Sequence, residues 1–257
     1  MPAVVDTDGG GLFVVKFRGA GQGAKALVAE LIVGMLARTL GLPMPNLALI
    51  DVPAPFGRTE PDPEIQDVLR ASHGINVGLR YLDGAFNYDN TAAGELISPE
   101  VAARVVWLDA LVTNPDRTHR NPNILIWERR PWLIDHGAAL YAHHDWASVD
   151  DARARTPFAH IRDHVLLDRS AGLETTDREL AATLTGDTIV GILERVPESL
   201  LLDPSRGTEF ASAHEARERY LDYFRQRLTE PRAFVEEAVR AKALRRETPP
   251  SRLSARR

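Results

Sequence analysis

The chain has 257 residues, of which 44% are hydrophobic and 26% charged, and its formal net charge is −5. This composition is ordinary for a globular protein of one large domain or two lobes, and the acidic balance argues against direct nucleic-acid binding. The absence of cysteine excludes disulfides, thiolate catalysis and cysteine-ligated zinc. No apolar run reaches the roughly 18 residues that a membrane helix needs, and no signal-peptide pattern is visible, so we expect a cytoplasmic protein without membrane contact.

The first residues predict a β-hairpin. Two β-rich runs, "VV" at 4–5 and "LFVVKF" at 12–17, flank the turn "DTDGGG". Alternation places Val14 and Lys16 on one face of the second strand. A cation within an apolar strand is either a snorkelling or edge-strand lysine, or one with a functional role.

A strong helix is predicted at 24–40, because apolar residues recur at helical spacing and Gly41 is a natural stop. The loop "RGAGQGAK" before it reads as a flexible linker, although its amides could bind an anion. Glu30 lies on this helix beside small residues, so it either faces solvent or pairs with a buried cation. Two further strands are predicted at 47–52 and 74–82, with loops at 53–67 and 83–96.

From Ser98 onward, the predicted elements are mainly helices. Ser98 is a good N-cap before Pro99, and the helix that follows must stop near Asn114, because Pro115 disfavours helix in the preceding residue. The polar stretch "NPDRTHRN" leads to a predicted strand "ILIW", a turn "ERRP" and a strand "WLIDHG". Helices are predicted near 158–167, 175–184, 187–195, 208–228 and 231–245, and the stretch "DHVLLD" could pack beneath the polar loop.

Four charged residues, each in a distinctive local setting, occur in a particular order along the chain. They are a strand lysine (Lys16), a helix glutamate (Glu30), an aspartate in a polar loop (Asp116) and an aspartate at a strand end (Asp135). Phosphoryl transfer from ATP needs a cation for the phosphates, an anion to hold that cation, a carboxylate to orient the acceptor hydroxyl, and oxygen ligands for magnesium. The order of these groups therefore predicts a phosphotransferase.

The chain resembles the HipA-like kinases, a family of the protein-kinase-like superfamily related to aminoglycoside phosphotransferases and phosphatidylinositol kinases. The resemblance is carried by "VVKF", "AELIVGMLARTLGLPMP", "DRTHRNPNIL" and "LIDHGAAL". It implies an α+β, bilobal kinase fold, with a β-rich N-lobe at 1–82 that contains the helix 24–40. The helical C-lobe would span 83–245, with a catalytic loop at 114–123 and metal-binding residues at 135–137. A basic tail at 246–257, rich in Pro and Ser, is predicted to be disordered.

The same resemblance implies roles for individual residues. Lys16 would bind ATP phosphates with Glu30 as its partner, Asp116 would be the catalytic aspartate, and Asp135 would bind magnesium. The residues expected to contact adenine are Val14 on the lysine strand and the hinge residues Leu79, Arg80, Tyr81 and Leu82.

Two asparagines compete for the remaining magnesium position. Asn121 lies five residues after Asp116, which is the spacing of the kinase catalytic loop. Asn123 lies directly before the apolar strand, which is where the family usually places this ligand. Spacing favours Asn121 and strand register favours Asn123, so both stay candidates.

The resemblance has one clear departure. Kinases carry a Gly-rich phosphate loop in the hairpin before the strand lysine, whereas only "DGGG" precedes Lys16 here. Either a first strand lies outside this sequence, or the phosphates are covered in another way.

The predicted function is ATP- and magnesium-dependent transfer of the γ-phosphate to a hydroxyl, with Ser or Thr of a protein as acceptor by family resemblance. A small-molecule kinase, or a nucleotide-binding pseudokinase that acts through a protein partner, are the alternatives. A zinc hydrolase is a third, because helical spacing would place His160 and His164 on one face near Asp145 or Asp163.

Overall fold

The computed structural model of the chain describes residues 2–21, 23–203 and 209–247. Its strands are β1 (Pro2–Asp6), β2 (Leu12–Lys16), β3 (Leu47–Val52), β4 (Gly74–Arg80), β5 (Phe86–Asn87), β6 (Ile124–Trp127) and β7 (Arg130–Leu133). Its helices are α1 (Ala24–Thr39), α2 (Pro63–Arg70), α3 (Asn90–Ala93), α4 (Pro99–Leu111), α5 (Asp151–Ala154), α6 (Leu173–Thr183), α7 (Gly186–Leu193), α8 (Glu198–Leu201), α9 (Ala213–Leu228) and α10 (Ala233–Glu247). Short 3₁₀ helices occupy Gly94–Leu96, Tyr141–His144, Trp146–Ser148 and Ala159–Asp163.

The first four strands form one antiparallel sheet in the order β1-β2-β4-β3. Lys16 pairs with Val77 of β4, and Val14 pairs with Leu79. Because residues two apart on a strand share a face, Val14, Leu79 and Lys16 lie on the same side of this sheet. The sheet thus places the lysine beside the apolar residues expected to contact adenine.

Helix α1 is buried on most of its surface, which explains its nearly continuous apolar sequence. Its residues join a large core that also contains β4, α4 and the later helices. Gly34 lies where α1 meets the chain after it, and a Cβ there would lie 2.6 Å from Met44 Cε and 2.8 Å from Leu47 Cδ1, so these two side chains would have to shift. A second, smaller core around Val15 and Phe17 packs the opposite face of the sheet, against Leu69 of α2.

The other sheet, β5-β6-β7, carries the polar loop at one end. Helix α4 begins after Ser98, whose hydroxyl accepts a hydrogen bond from Val101 N at 3.3 Å, as the capping pattern predicts. The β6–β7 hairpin turns at Glu128 and Arg129, which have φ angles of 49° and 61°. The predicted turn "ERRP" is therefore two residues too long, because residues 130 and 131 belong to β7.

Three predictions for local structure are wrong. The stretch 53–67 is not entirely loop, because α2 begins at Pro63 behind an Asp62 carboxylate that caps Glu64 N at 2.8 Å. The stretch 83–96 contains β5 and α3, and α3 is capped by Asp89. The predicted helix at 158–167 is only a 3₁₀ helix at Ala159–Asp163.

The main sheet falls within 1–82 and most helices within 83–245, while the lobe boundary itself stays a prediction. Helix α10 runs to Glu247, two residues into the predicted tail, and 248–257 lie outside the described residues. In the described part of the chain, no helix is both long enough and apolar enough to span a lipid bilayer.

Candidate active site

The structure brings Lys16, Glu30 and Asp135 together. The Lys16 ammonium lies 2.6 Å from Glu30 Oε2 and 2.5 Å from Asp135 Oδ1. The Glu30 side chain is completely buried, so it is a partner of a cation and not a solvated residue. The three residues come from β2, α1 and the segment after β7, so one ammonium group joins three parts of the fold.

Lys16 and Asp135, which contact each other, are both charged at neutral pH. Burial by itself lowers the pKa of Lys16, but the charges of Glu30 and Asp135 outweigh it and leave the pKa above its ordinary value. Burial likewise raises the pKa of Asp135, and the Lys16 charge more than offsets this, so that the pKa lies below its ordinary value. The site therefore holds a fixed cation beside a fixed carboxylate.

The segment "DHG" is attached to helix α1 through its backbone. The amide of His136 donates to Glu30 Oε2 at 2.8 Å, the same oxygen that binds Lys16. Asp135 has a φ of 57°, which is uncommon for a residue other than glycine. Such a backbone persists when surrounding contacts hold it, and it often marks a functional site.

The polar loop directs two amides at one carboxylate. Asp116 Oδ2 accepts hydrogen bonds from Asn121 Nδ2 at 2.8 Å and from Asn123 Nδ2 at 3.1 Å. Asn121 is exposed, whereas Asn123 is 8% exposed, has a φ of 50° and directly precedes β6. Asn114, predicted only to end the helix, is buried and accepts a hydrogen bond from Asp116 N at 3.1 Å.

Beneath this loop lies a buried ion pair between Asp109 and Arg117. Their side chains are 0% exposed, and Arg117 Nε lies 2.6 Å from Asp109 Oδ2. The Arg117 guanidinium also donates to the carbonyl of Asn123, to the carbonyl of Ile134 at 3.4 Å and to His136 Nδ1 at 3.1 Å. Asn123 and Asp135 are the two residues of the site with a positive φ. Arg117 contacts the carbonyl of Asn123 and that of Ile134, which directly precedes Asp135, and is therefore a positioning residue.

Sequence reasoning missed Asp109 and Arg117. The signal that could have found them is Asp109 itself, a carboxylate on a helix that is otherwise apolar at this end. Burial alone would raise the pKa of Asp109, but the charge of Arg117 and the hydrogen bond from His164 hold it well below its ordinary value.

His164, in the stretch "DHVLLD", completes this buried network. Its Nε2 lies 2.9 Å from Asp109 Oδ2, and its Nδ1 accepts a hydrogen bond from Leu166 N at 3.0 Å, which makes Nε2 the protonated nitrogen. Burial lowers the pKa of His164, so the ring is neutral at pH 7. The stretch thus packs beneath the polar loop as expected, and Thr118 and His164 form a β-bridge.

The zinc alternative is not supported. Both ring nitrogens of His164 are engaged within the protein, so this ring has none left for a metal. Within residues 2–21, 23–203 and 209–247, no three His, Cys, Asp or Glu side chains cluster closely enough to hold a metal ion.

The predicted hinge residues lie at the end of β4. Leu79 and Leu82 are buried, while Arg80 and Tyr81 are exposed. The amides of Arg80 and Tyr81 already donate to the carbonyls of Asn46 and Leu12, at 2.8 and 2.9 Å. The Arg80 guanidinium lies over the Phe13 ring, 5.7 Å from its centroid, and does not project freely from the hinge.

The donor set fits ATP and magnesium. Lys16 supplies a cation, and Asp116 and Asp135 supply carboxylates. Both loop asparagines use their Nδ2 atoms for Asp116, and within the described residues no hydrogen bond engages their Oδ1 atoms. Carboxylate and amide oxygens are the ligands that magnesium prefers.

The small antiparallel sheet, the helical lobe and the lysine between two carboxylates define a kinase of the protein-kinase-like class. A family model described as "HipA-like kinase" matches residues 2–218. The chain therefore belongs to the HipA-like kinase family, as its sequence motifs predicted.

Comparison with solved structures supports the fold. The crystal structure of a Helicobacter pylori proinflammatory kinase, CtkA, matches with a TM-score of 0.50 over 95% of this chain and 91% of that one. The two sequences are 13% identical, so this likeness confirms the kinase fold alone. No curated protein sequence matches the chain.

Proposed function

We propose that the chain transfers the γ-phosphate of ATP to a hydroxyl group with the help of magnesium, and that the acceptor is a serine or threonine of a protein. The observation that carries this proposal is the Lys16 ammonium held between Glu30 and Asp135. Membership of the HipA-like kinase family supports it.

Lys16 and its partners bind the nucleotide in this proposal. The Lys16 ammonium contacts the α- and β-phosphates, and Glu30 fixes its position from below. Asp135 and one loop asparagine hold magnesium, which neutralises charge on the phosphate oxygens when it is bound. Val14 and Leu79 form an apolar surface for adenine, and Arg80, Tyr81 and Leu82 complete the hinge; the amides of Arg80 and Tyr81 are already engaged within the protein and do not donate to the base.

Asp116 orients the acceptor hydroxyl. Its Oδ2 is held by two asparagine amides, and its Oδ1 accepts no hydrogen bond from the described residues, so Oδ1 is available to the hydroxyl hydrogen. The acceptor oxygen forms a bond to the γ-phosphorus as the bond to the bridging oxygen of ADP breaks. The hydroxyl proton passes to Asp116, and ADP leaves.

The proposal is tested by calorimetric titration with ATP, with and without magnesium, and by transfer of labelled γ-phosphate to a mixture of proteins. We expect magnesium-dependent binding in the native chain, a loss of transfer of roughly 10²–10⁴-fold in Asp116→Ala, and loss of the magnesium dependence in Asp135→Ala. Asp163→Ala is the matched control, because its side chain is exposed and outside the site. Full transfer by Asp116→Ala would contradict the assigned role.

The second candidate is a nucleotide-binding pseudokinase that acts through partners. The short hairpin before Lys16 favours it, because only the turn "DGGG" stands where kinases carry a Gly-rich phosphate loop, and Gly10 of this turn accepts a hydrogen bond from the Arg80 side chain at 3.4 Å. Thermal stabilisation by Mg·ATP without phosphate transfer to any protein or metabolite would support this candidate. Transfer to metabolites alone would instead identify a small-molecule kinase.

A further inference from the structure

A cavity of about 450 Å³ lies against the loop that carries Asp116. Pro115, the residue before Asp116, forms part of its wall. The other walls come from the chain after the "DHG" segment, from residues 153–160 and from α9. The cavity therefore adjoins the loop that carries the proposed catalytic carboxylate, although Asp116 itself is not part of its lining.

The floor of the cavity is apolar and held in place. Val149 and Phe158 are buried there, and the Arg227 side chain lies beside them, 3% exposed. The Arg227 guanidinium donates to the carbonyls of Ala110, Leu111, Ala154 and Thr156. Its polar hydrogens are thus directed at the protein backbone, and the floor suits an aliphatic or aromatic side chain.

The rim of the cavity is polar and carries one exposed arginine. Arg153 and His160 are exposed on the rim, and the Arg153 guanidinium has no carboxylate within 4 Å among the described residues. Among the described residues that line the cavity, Asp145 is the carboxylate of the rim, and the second arginine, Arg227, belongs to the buried floor.

An exposed aromatic ring also borders the cavity. Tyr141 is 69% exposed, and tyrosine and arginine are the residues that most often dominate protein-binding surfaces. A small anionic metabolite would need polar groups that converge on it from several sides. Here the floor is apolar and the charges lie apart on the rim, which matches an extended polypeptide better.

We propose that this cavity binds the polypeptide that carries the acceptor hydroxyl. An apolar side chain near the acceptor Ser or Thr enters the floor, and an Asp or Glu of the same segment pairs with Arg153. This inference rests on the proposed function, and it adds the kind of sequence that the kinase selects.

The test is phosphorylation of a degenerate Ser/Thr peptide library by the full chain and by two variants. Arg153→Glu reverses a charge on the rim. Arg162→Glu reverses a charge on the neighbouring 3₁₀ helix, outside the cavity lining, where the arginine is 69% exposed. Both side chains are exposed, so we expect both variants to fold, and thermal unfolding checks this.

We expect the native chain to favour Asp or Glu over Lys or Arg at one position by at least about tenfold, the scale of a 1.4 kcal/mol preference. Arg153→Glu should abolish or reverse this preference, and Arg162→Glu should keep it. If the native chain phosphorylates peptides without an acidic preference, or if Arg153→Glu keeps that preference, the inference is overturned. The kinase activity would still be established in both cases.

Two other results are separable from these. Transfer to small hydroxyl compounds but to no peptide would assign the cavity to a metabolite and overturn the inference. Absence of both Mg·ATP binding and transfer in the native chain would overturn the proposed function, and the cavity assignment with it.

Discussion

Replacing Arg117 with Met tests whether one buried arginine positions the candidate metal-binding residues. The substitution removes the guanidinium but keeps an unbranched apolar chain of similar reach. It breaks the ion pair with Asp109 and the hydrogen bonds to the carbonyls of Asn123 and Ile134. We expect losses of both stability and Mg·ATP affinity.

The stability loss is large because Asp109 and Arg117 are 0% exposed. Removing one partner of such a pair leaves an uncompensated buried charge and costs about 3–5 kcal/mol. The Asn123 carbonyl keeps a second partner, the amide of Ile134 at 3.1 Å, so the loss of its bond to Arg117 adds little. The expected total, about 4 kcal/mol, is a large part of the roughly 5–15 kcal/mol that stabilises a native protein.

The assay combines urea unfolding with calorimetric Mg·ATP binding on four proteins: the native chain, Arg117→Met, Asp109→Asn and the double variant. Asparagine removes the uncompensated charge of Asp109, so we expect the double variant to be more stable than the sum of the single changes predicts, by at least about 1 kcal/mol. Mg·ATP affinity should stay low in the double variant, because the guanidinium is still missing.

Two outcomes would refute this reasoning. The first is a decrease in the free energy of unfolding of less than about 1 kcal/mol in Arg117→Met, because an effect of that size is expected of an exposed ion pair and not of a buried one. Recovery of Mg·ATP affinity together with stability in the double variant would show that Arg117 stabilises the fold without positioning the site.

Three further predictions concern two elements of the site and the N-cap of α4. The pKa of His164 is lowered from 6.5 in the folded chain, so as pH falls below 6.5 the unfolded chain binds the proton first and the free energy of unfolding decreases. His164→Gln should make the slope of this free energy against pH shallower by up to about 1.4 kcal/mol per pH unit. Asn123→Leu should weaken Mg·ATP binding more than Asn121→Leu, because Asn123 is the more buried and constrained; the reverse order would assign the ligand to Asn121. Ser98→Ala should cost about 1 kcal/mol in urea unfolding with unchanged Mg·ATP affinity, because it removes only the cap of α4.

The parts of the fold with strong local signals were predicted from the sequence. Strand β3 matches its prediction residue for residue, and α1 differs by one residue at its end. The kinase fold and the family were also predicted correctly, because the motifs around Lys16, Asp116 and Asp135 keep their order and spacing. Local periodicity and motif order are the information that a sequence displays directly.

Local signals that conflict were read incorrectly. The stretch 53–67 is rich in proline and acidic residues, which indicates a loop, yet "DPE" at 62–64 is also a helix start with a capping aspartate and proline at the first position. Composition alone therefore predicts a loop where the capping residues begin α2.

The buried network beneath the polar loop could not be predicted from local pattern. Asp109 and Arg117 are eight residues apart, but a helix end and a loop separate them, and His164 is 55 residues from Asp109. Their contact depends on how α4 and the later chain pack together. Long-range packing of this kind leaves no periodic trace in a sequence, and the choice between Asn121 and Asn123 is open for the same reason.

The double use of Glu30 Oε2 affects how this kinase can be regulated. One oxygen atom accepts both the Lys16 ammonium and the His136 amide, so a displacement of α1 removes support from the nucleotide side and the metal side at once. Lys16 would then keep its contact with Asp135, and the "DHG" segment would keep its contacts with Arg117. Nucleotide binding and metal binding are therefore coupled through one atom of α1, and a change at Glu30 alters both.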